Sequence, residues 1–124
     1  MLRDTYWSPG IPRDVVARAC ANSMCAIARD DSGHLIGFAR VVTDKATFAW
    51  LCDVVVLSGK QGRGLGRELV RTFLDHPELQ GLRRWLLGTK DAHGVYAPFG
   101  FTPLEAPERF MQIKNPRPYG APAS

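Results

Sequence analysis

Apolar and polar positions along this chain follow two different periods, and the changes of period predict its secondary structure. In "PRDVVARAC" the apolar residues repeat at helical spacing, and the proline suits the first turn of a helix with one buried face. Between Met24 and Leu57 the stretches "MCAIA", "LIGFARVV" and "TFAWLCDVVVL" alternate with runs of turn-forming residues. This region predicts three antiparallel strands joined by tight turns.

The second half of the chain returns to the helical period before two short apolar stretches. In "GLGRELVRTFLDHPEL" the large apolar residues form one stripe, which predicts an amphipathic helix that Pro77 ends. The stretch "LRRWLLGT" predicts a short buried strand, "DAHGVYAPFG" a short irregular helix and "ERFMQIKN" a final strand. Residues 116–124 are expected to form a loose, flexible tail, because prolines and small side chains bury little surface.

The length and composition of the chain favour one soluble, cytoplasmic domain. A chain of 124 residues supplies one hydrophobic core, so residues 1–124 are interpreted as a single domain. No stretch reaches the roughly 18 to 20 apolar residues of a membrane span, and the first ten residues lack the apolar centre of a secretion signal. The net charge of +4 suits an anionic ligand without requiring one.

The sequence favours neither a metal site nor a nucleic-acid partner. The chain has 3 cysteines, which cannot all pair and which lack the CxxC spacing of a zinc site, so free, mostly buried thiols are expected. It contains no recognisable recognition helix or base-stacking platform for nucleic acid.

A glycine-rich segment joins the third predicted strand to the second predicted helix. This arrangement presents unpaired backbone N–H groups, at the positive end of a helix dipole, to an anion. The spacing does not match a Rossmann fingerprint, because Arg67 stands where the third glycine belongs, or a P-loop, because no GK[ST] follows Gly59 at the required distance. An ordinary turn with solvated arginines is the alternative interpretation.

The segment does match the pattern [RQ]xxGxG, and in this form it resembles the acyl-coenzyme A loop of the GNAT superfamily of acetyltransferases. About thirty residues further on, "VYAPFGF" resembles a second GNAT signature, in which Tyr96 precedes Gly100 and Phe101. Both motifs stand in the family's order, and the resemblance, to a small single-domain branch, spans residues 24–114. The loop residues are Gln61, Gly62, Arg63, Gly64, Leu65, Gly66 and Arg67, with Lys60 and Arg71 as further cations.

The resemblance implies an α/β fold with a mixed, mostly antiparallel central sheet, a splayed parallel strand pair and flanking helices. It implies acetyl-CoA as co-substrate, with its diphosphate on the glycine loop and its pantetheine arm along the backbone of Val54, Val55 and Val56. It also implies that Tyr96 is the general acid for the departing thiolate, a role that suits a phenol of pKa about 10. The alternative for Tyr96 is a packing role.

Asp53 is the first candidate for the general base, and His93 or water are the alternatives. Asp53 lies in an otherwise apolar strand, and regular strand alternation predicts that it shares a face with Leu51 and Val55. A structural role is the alternative for this carboxylate. His93 precedes Tyr96 by three positions, and its alternative is a surface or capping role.

Two departures from the family pattern affect the cofactor contact and the sheet. Thr89 stands where many members carry an asparagine that contacts the cofactor arm, and Asp91 is the nearest residue able to complement it. The family's first strand is missing ahead of "YWSPGIP", which leaves a bare sheet edge that a homodimer would cover.

The acceptor is the least determined part of the function. A primary amine of a small molecule is expected, because no acidic cluster marks a polyamine or aminoglycoside pocket. The alternative function is a non-catalytic acyl-CoA-binding module that acts as a sensor or holds a structural ligand. The aromatic candidates for an acceptor pocket are Tyr6, Trp7, Phe38, Trp50 and Phe99.

Overall fold

The fold is known from a computed structural model, which describes residues 11–60, 62, 64–90 and 92–120. The helices are α1 (Arg13–Ala21), α2 (Leu65–Leu74) and α3 (His93–Tyr96), and the strands are β1 (Met24–Arg29), β2 (Leu35–Thr43), β3 (Phe48–Val56) and β4 (Arg84–Leu87). Short 3₁₀ turns lie at Pro77–Leu79, Ala97–Phe99, Pro107–Arg109 and Pro118–Gly120.

The four strands form one mixed sheet in the order β1-β2-β3-β4. Tight turns join β1, β2 and β3, which are therefore antiparallel neighbours. The connection from β3 to β4 passes through α2, and this crossover makes β4 parallel to β3. The predicted α/β fold with a mostly antiparallel sheet and one parallel pair is confirmed.

Helix α2 covers one face of the sheet and builds the core with it. Its stripe of Leu69, Val70 and Phe73 is buried and belongs to one cluster with Val41 of β2 and Leu51 of β3. Each such side chain contributes roughly 1.5–3 kcal/mol when it leaves water. The amphipathic pattern of "GLGRELVRTFLDHPEL" thus predicted both the helix and the face that it buries.

A β-bulge in β3 changes the face that each residue of this strand occupies. Arg40 of β2 pairs with Asp53, but the next residue, Val41, pairs with Leu51, so Cys52 has no partner on β2. The extra residue shifts the alternation by one position. Asp53 therefore lies on the face away from α2, opposite to Leu51, and the prediction that the two share a face is wrong.

Two further predictions differ from the structure. The apolar side of α1 is half-buried, and none of its residues is fully buried. The stretch "ERFMQIKN" forms no strand, because the turn Pro107–Arg109 leads into exposed chain that pairs with none of the described strands. A period of two marks a segment able to form a strand, but the strand also needs a neighbour to bond.

Both ends of the chain carry predictions that the described residues only partly cover. The missing first strand concerns the region ahead of "YWSPGIP", which lies outside the described residues. In the predicted tail, residues 116–119 are exposed, and residues 121–124 lie outside the described part. Within the described ranges, no helix combines the length and the apolar character needed to cross a membrane.

Candidate active site

The loop between β3 and α2 turns through three left-handed glycines. Gly59 has a φ of 87°, Gly62 a φ of 82° and Gly64 a φ of 76°, values at which an L side chain is strained. Gly64 is also the N-cap of α2, and since it has no side chain, the start of the helix is uncapped. Gln61 and Arg63 of the predicted loop lie outside the described residues.

The first turn of α2 offers backbone donors that the described protein does not use. The first bond of the helix runs from the N–H of Glu68 to the carbonyl of Gly64, at 3.0 Å. The N–H groups of Leu65, Gly66 and Arg67 precede this bond, and none has a hydrogen-bond partner among the described residues. Because the helix dipole adds positive potential here, the turn is suited to an anion.

The start of α2 sits directly on the end of β3. A Cβ added at Gly66 would lie 3.8 Å from Val54 Cγ1 and 3.9 Å from Val56 Cγ2, which is ordinary van der Waals contact. Pairing of β3 with β4 ends at Leu51 and Leu87, whereas β3 continues to Val56. Beyond this point β3 and β4 therefore separate, and the uncapped start of α2 lies beside the part of β3 that continues.

The antiparallel ladder decides which backbone groups face this gap. The N–H of Leu57 donates to the carbonyl of Ile36 at 2.8 Å, and the direction of the groups alternates along the ladder. The N–H and C=O groups of Val54 and Val56 are thus directed away from β2, towards the gap. Those of Val55 are directed towards β2, so two of the three predicted valines present their backbone to the gap.

An open cleft of about 460 Å³ lies between α2 and the turn that follows α3. The guanidinium carbon of Arg71 lies 4.9 Å from the ring centroid of Phe99, a cation–π contact across the cleft. The cleft combines charge with apolar surface, so it suits an anion with an uncharged extension. It is lined by Arg67, Glu68, Arg71, Pro98 and Phe99.

Tyr96 ends α3 beside the point where the strands separate. Its half-buried ring packs against the core cluster and meets Phe101 edge to face, with ring centroids 6.0 Å apart. It also lines a groove with Gly88 and Thr89, the two residues that follow β4. The tyrosine is therefore held on the α2 side of the sheet.

Thr89 and His93 lie in the loop before α3 and at its first residue. The side-chain oxygen of Thr89 accepts a hydrogen bond from the backbone N–H of Ala92 at 3.2 Å. Its hydroxyl thereby shapes the entry to α3, and His93 is exposed. Asp91, the residue expected to complement Thr89, lies outside the described residues.

Asp53 forms a buried ion pair on the other face of the sheet. Its Oδ2 accepts a hydrogen bond from Nε of Arg40 at 2.7 Å, and Nη1 of Arg40 donates to Oγ of Ser23 at 3.0 Å. The side chain of Asp53 is 3% exposed and that of Arg40 is 18% exposed. Burial by itself lowers the pKa of Arg40, but the hydrogen bond and the charge of Asp53 outweigh it and raise that pKa overall.

All three cysteines lie around this ion pair as free thiols. Cys20 and Cys52 are half-buried and Cys25 is exposed, so the prediction that most of them are buried is wrong. Cys25 is the cross-strand neighbour of Arg40, and Cys52 is the bulge residue. Desolvation of the sulfur and the adjacent thiol of Cys20 raise the pKa of Cys25 to about 11, and burial also raises the pKa of Cys52. Raised values make both thiols poor nucleophiles.

Arg40 is the residue at this site that the sequence interpretation missed. The available signal was a lone cation within the apolar stretch "LIGFARVV", since a cation in a buried strand requires a counter-charge. Phe38 and Trp50 lie on the same face as this pair, because the register pairs Phe38 with Val55 and Val42 with Trp50. Among the described residues, no three His, Cys, Asp or Glu side chains are grouped as a metal site.

Comparison with known proteins places this arrangement in a wider group. The chain matches the family model described as the Acetyltransferase (GNAT) family over residues 2–101. A curated protein of Gibberella zeae that carries an acetyltransferase name is 30% identical over an alignment of 106 residues, and the match covers 69% of this chain and 59% of the relative. The chain thus spans less than two thirds of the length of this relative.

Solved structures show the same fold. A protein of Xanthomonas campestris pv. campestris, named as belonging to the GNAT family, shares 45% identity with a TM-score of 0.91, over 97% of this chain and 84% of that one. A GNAT family acetyltransferase from Elizabethkingia anophelis with acetyl-CoA bound has a TM-score of 0.60 at 14% identity, over 73% of this chain and 61% of that one. The second likeness concerns the fold alone.

Proposed function

Because the chain belongs to the GNAT family of acetyltransferases, we propose that it transfers an acetyl group from acetyl-CoA to a primary amine of a small molecule, by direct attack in a ternary complex. One observation carries the proposal: the N–H groups at the start of α2 that bond to no described residue adjoin the part of β3 that extends beyond its ladder with β4. The first feature binds an anion and the second binds an extended chain with amide groups. Acetyl-CoA combines a diphosphate with such a chain.

The residues of the site fit this co-substrate. The diphosphate is bound by the first N–H groups of α2, with the cations of the loop as counter-charges, and the pantetheine amides bond to the backbone of β3 at Val54, with Val55 and Val56 beside them. The bound acetyl-CoA of the Elizabethkingia anophelis protein, which shares the fold, supports the choice of ligand. The proposed binding residues beyond these are Lys60, Gln61, Gly62, Arg63, Gly64, Leu65, Gly66, Arg67, Arg71 and Thr89.

Tyr96 is proposed as the general acid. As the amine nitrogen bonds to the acetyl carbon, the carbon–sulfur bond breaks and the phenol gives its proton to the sulfur. The half-buried position of Tyr96 beside Gly88 and Thr89, at the opening of the strand gap, supports this role. The nitrogen loses its second proton to solvent as the amide forms, and the phenol recovers a proton from solvent after the thiol leaves.

The amine must lose a proton before it attacks, and Asp53 is the proposed base. Asp53 and Tyr96 lie on opposite faces of the sheet. This arrangement supports a reaction in which the acceptor amine approaches from the side of Asp53 and the thiol leaves on the side of Tyr96. The ion pair with Arg40 supports the competing, structural role, because one carboxylate oxygen is already engaged. If Asp53 has this structural role, water or His93 takes the proton from the amine, and His93 is exposed enough to pass it to solvent.

Two measurements test the proposed function. Acetyl-CoA and CoA, but not a nucleotide control, should stabilise the protein by about 2.7 kcal/mol at a ligand concentration of ~100 times Kd. Thiol release on a panel of primary amines should then fall at least tenfold in Tyr96→Phe with ligand binding retained. Tyr119→Phe is the matched control, because Tyr119 lines neither the cleft nor the groove. Absence of stabilisation by both CoA species would overturn the proposal.

The second candidate is a non-catalytic acyl-CoA-binding module. It is favoured by Thr89, which replaces the family's asparagine and whose side-chain oxygen already accepts a hydrogen bond from Ala92. Acetyl-CoA binding without thiol release on any amine, and with no effect of Tyr96→Phe, would favour the module over the enzyme.

The remaining parts of the proposal concern organisation and location. We propose that residues 1–124 act as a single domain and that the protein works in the cytoplasm, as a homodimer, without a metal. The three free thiols support a reducing compartment.

A further inference from the structure

Two of the three thiols, those of Cys20 and Cys25, lie on the two sides of the turn that joins α1 to β1. The N–H of Ser23 donates to the carbonyl of Cys20 at 3.3 Å, so the chain folds back directly below the last turn of the helix. This turn places Sγ of Cys25 3.8 Å from the carbonyl oxygen of Cys20, and the two thiols are hydrogen-bonded to each other. They are therefore close enough to be joined with little movement of the backbone.

The two sulfurs differ in access to solvent, which suits a reaction in two steps. Cys25 is exposed and Cys20 is half-buried. A reagent in solution can thus reach the first sulfur, and the second sulfur can attack the adduct that forms. The charge of Arg40 acts on both thiols and favours their thiolates, although desolvation still raises the pKa of Cys25, so the first step is slow.

Cys52, the third thiol, has different neighbours. Its Sγ lies 3.4 Å from the carbonyl oxygen of Trp50 in its own strand, and the charges that act on it are those of Arg40 and Asp53. The ion pair, rather than another thiol, is therefore the neighbour of this sulfur. Cys52 provides an internal control for the reactivity of the other two cysteines.

We propose that Cys20 and Cys25 form a reversible modification site, which low-molecular-weight disulfides such as glutathione disulfide convert to an intramolecular disulfide. The thiolate of Cys25 attacks one sulfur of glutathione disulfide, the bond between the two glutathione sulfurs breaks, and one glutathione leaves. The thiolate of Cys20 then attacks Sγ of Cys25 and releases the second glutathione. The protein loses two electrons and two protons, and both are taken up by the two glutathione molecules.

The contact between the thiols makes the second step intramolecular, so the closed disulfide should form in preference to a lasting glutathione adduct. In a reducing compartment the pair stays as free thiols, and it closes when low-molecular-weight disulfides accumulate. The site does not depend on acetyl transfer, so it stands apart from the proposed function.

Closure of the disulfide should fasten α1 to the sheet. None of the residues of this helix is fully buried. Its end is held through Ser23, whose Oγ accepts a hydrogen bond from Nη1 of Arg40 at 3.0 Å and donates one to the carbonyl of Ala19 at 2.6 Å. A covalent link across a loop of about six residues should therefore raise Tm by about 5–9 °C.

Peptide mapping of the full chain tests the site. The folded protein is incubated with glutathione disulfide for hours, treated with iodoacetamide and digested with trypsin. Trypsin cleaves after Arg18 and Arg29, so one peptide contains both Cys20 and Cys25, while Cys52 lies in another. The first peptide should be lighter by two hydrogen atoms and carry no alkyl group, whereas Cys52 should be alkylated. Dithiothreitol should reverse both the mass change and the gain in Tm.

Two variants and a denatured sample show whether the contact is responsible. Cys20→Ser should stop at a glutathione adduct on Cys25, and the matched control Cys52→Ser should close as the wild type does, with the same gain in Tm. In concentrated urea the ratio of closed disulfide to adduct should fall roughly tenfold or more, because the contact depends on the fold.

Four results would overturn the proposal. They are alkylation of both cysteines in the treated wild type, a lasting glutathione adduct on its Cys25, a disulfide that includes Cys52, and an equal ratio of closed disulfide to adduct in the folded and denatured protein. Failure of acetyl-CoA binding or of thiol release on amines would change none of these measurements, so the two proposals can fail separately.

Discussion

Removal of one partner of the ion pair between Arg40 and Asp53 should destabilise the protein far more than removal of both partners together. The carboxylate of Asp53 lies 2.7 Å from Nε of Arg40 and is 3% exposed. Removal of Arg40 therefore leaves the negative charge of Asp53 with almost no access to water. Such a loss costs about 3–5 kcal/mol, and Arg40→Met should lie at the upper end of that range. Asp53→Leu should lie at the lower end, because the 18% exposed guanidinium of Arg40 can turn partly into solvent.

The double variant Arg40→Met/Asp53→Leu removes both charges together. Leucine matches the shape of aspartate, and replacement of a buried pair by apolar residues is often neutral, so the free energy of unfolding should return to within about 1 kcal/mol of the wild type. Urea denaturation followed by circular dichroism measures the four proteins as a double-mutant cycle. Since 1 kcal/mol corresponds to about 4 °C for a domain of this size, Arg40→Met should lower Tm by roughly 15–20 °C.

The cycle also decides the role of Asp53. If the losses of the two single variants add in the double variant, the pair is not coupled and the reasoning from burial is refuted. If the double variant is stable but releases no thiol on an amine that the wild type acetylates, Asp53 acts as the base. If it keeps the activity, the carboxylate is structural and the proton goes to water or to His93.

Three further predictions concern single residues. Gly66→Ala should raise the free energy of unfolding, measured by urea denaturation, by up to about 1 kcal/mol, since the position is helical and the new methyl group meets only ordinary contacts. The same variant should show a smaller thermal shift with acetyl-CoA. Because the pKa of Cys25 is about 11, its thiolate fraction at about pH 8 is roughly two hundredfold below that of an ordinary thiol of pKa ~8.5, although the more basic thiolate is also more nucleophilic. This exposed thiol should therefore react with iodoacetamide on the order of twentyfold more slowly, as measured by peptide mass spectrometry, and an equal rate would contradict the assignment. Hydrogen bonds from the hydroxyl and the backbone N–H of Thr47 lower the pKa of Asp44. The stability that ionised Asp44 contributes is therefore present above its unfolded-state pKa of about 4 and is lost as the pH falls. The free energy of unfolding should fall less steeply with decreasing pH in Asp44→Asn, and an unchanged dependence on acid pH would exclude this contribution.

Much of the fold was predictable because it depends on residues a few positions apart. The stripe in "GLGRELVRTFLDHPEL" predicts α2 and its buried face, and the apolar stretches before it predict β1, β2 and β3. Left-handed conformations at Gly62 and Gly64 follow from glycine in a strand-to-helix turn. The resemblance of "QGRGLG" and "VYAPFGF" to GNAT motifs led to the family that the comparison then showed.

The candidate site depended on pairings between distant residues, which local patterns do not encode. The bulge at Cys52 reversed the face of Asp53, and only the register with β2 reveals that Arg40 is its partner. Alternation in the same ladder selected Val54 and Val56 over Val55 as the valines whose backbone faces the gap.

By itself, the sequence determined which segments are helical or extended and where the glycine turn lies. Tertiary structure alone decided which strand edges bond, since "ERFMQIKN" has the pattern of a strand and yet pairs with none of the described strands. The physical reason is that periodicity and backbone preference act within one or two turns of the chain. A β-ladder forms only when a second strand, often far away in sequence, supplies the opposing donors and acceptors.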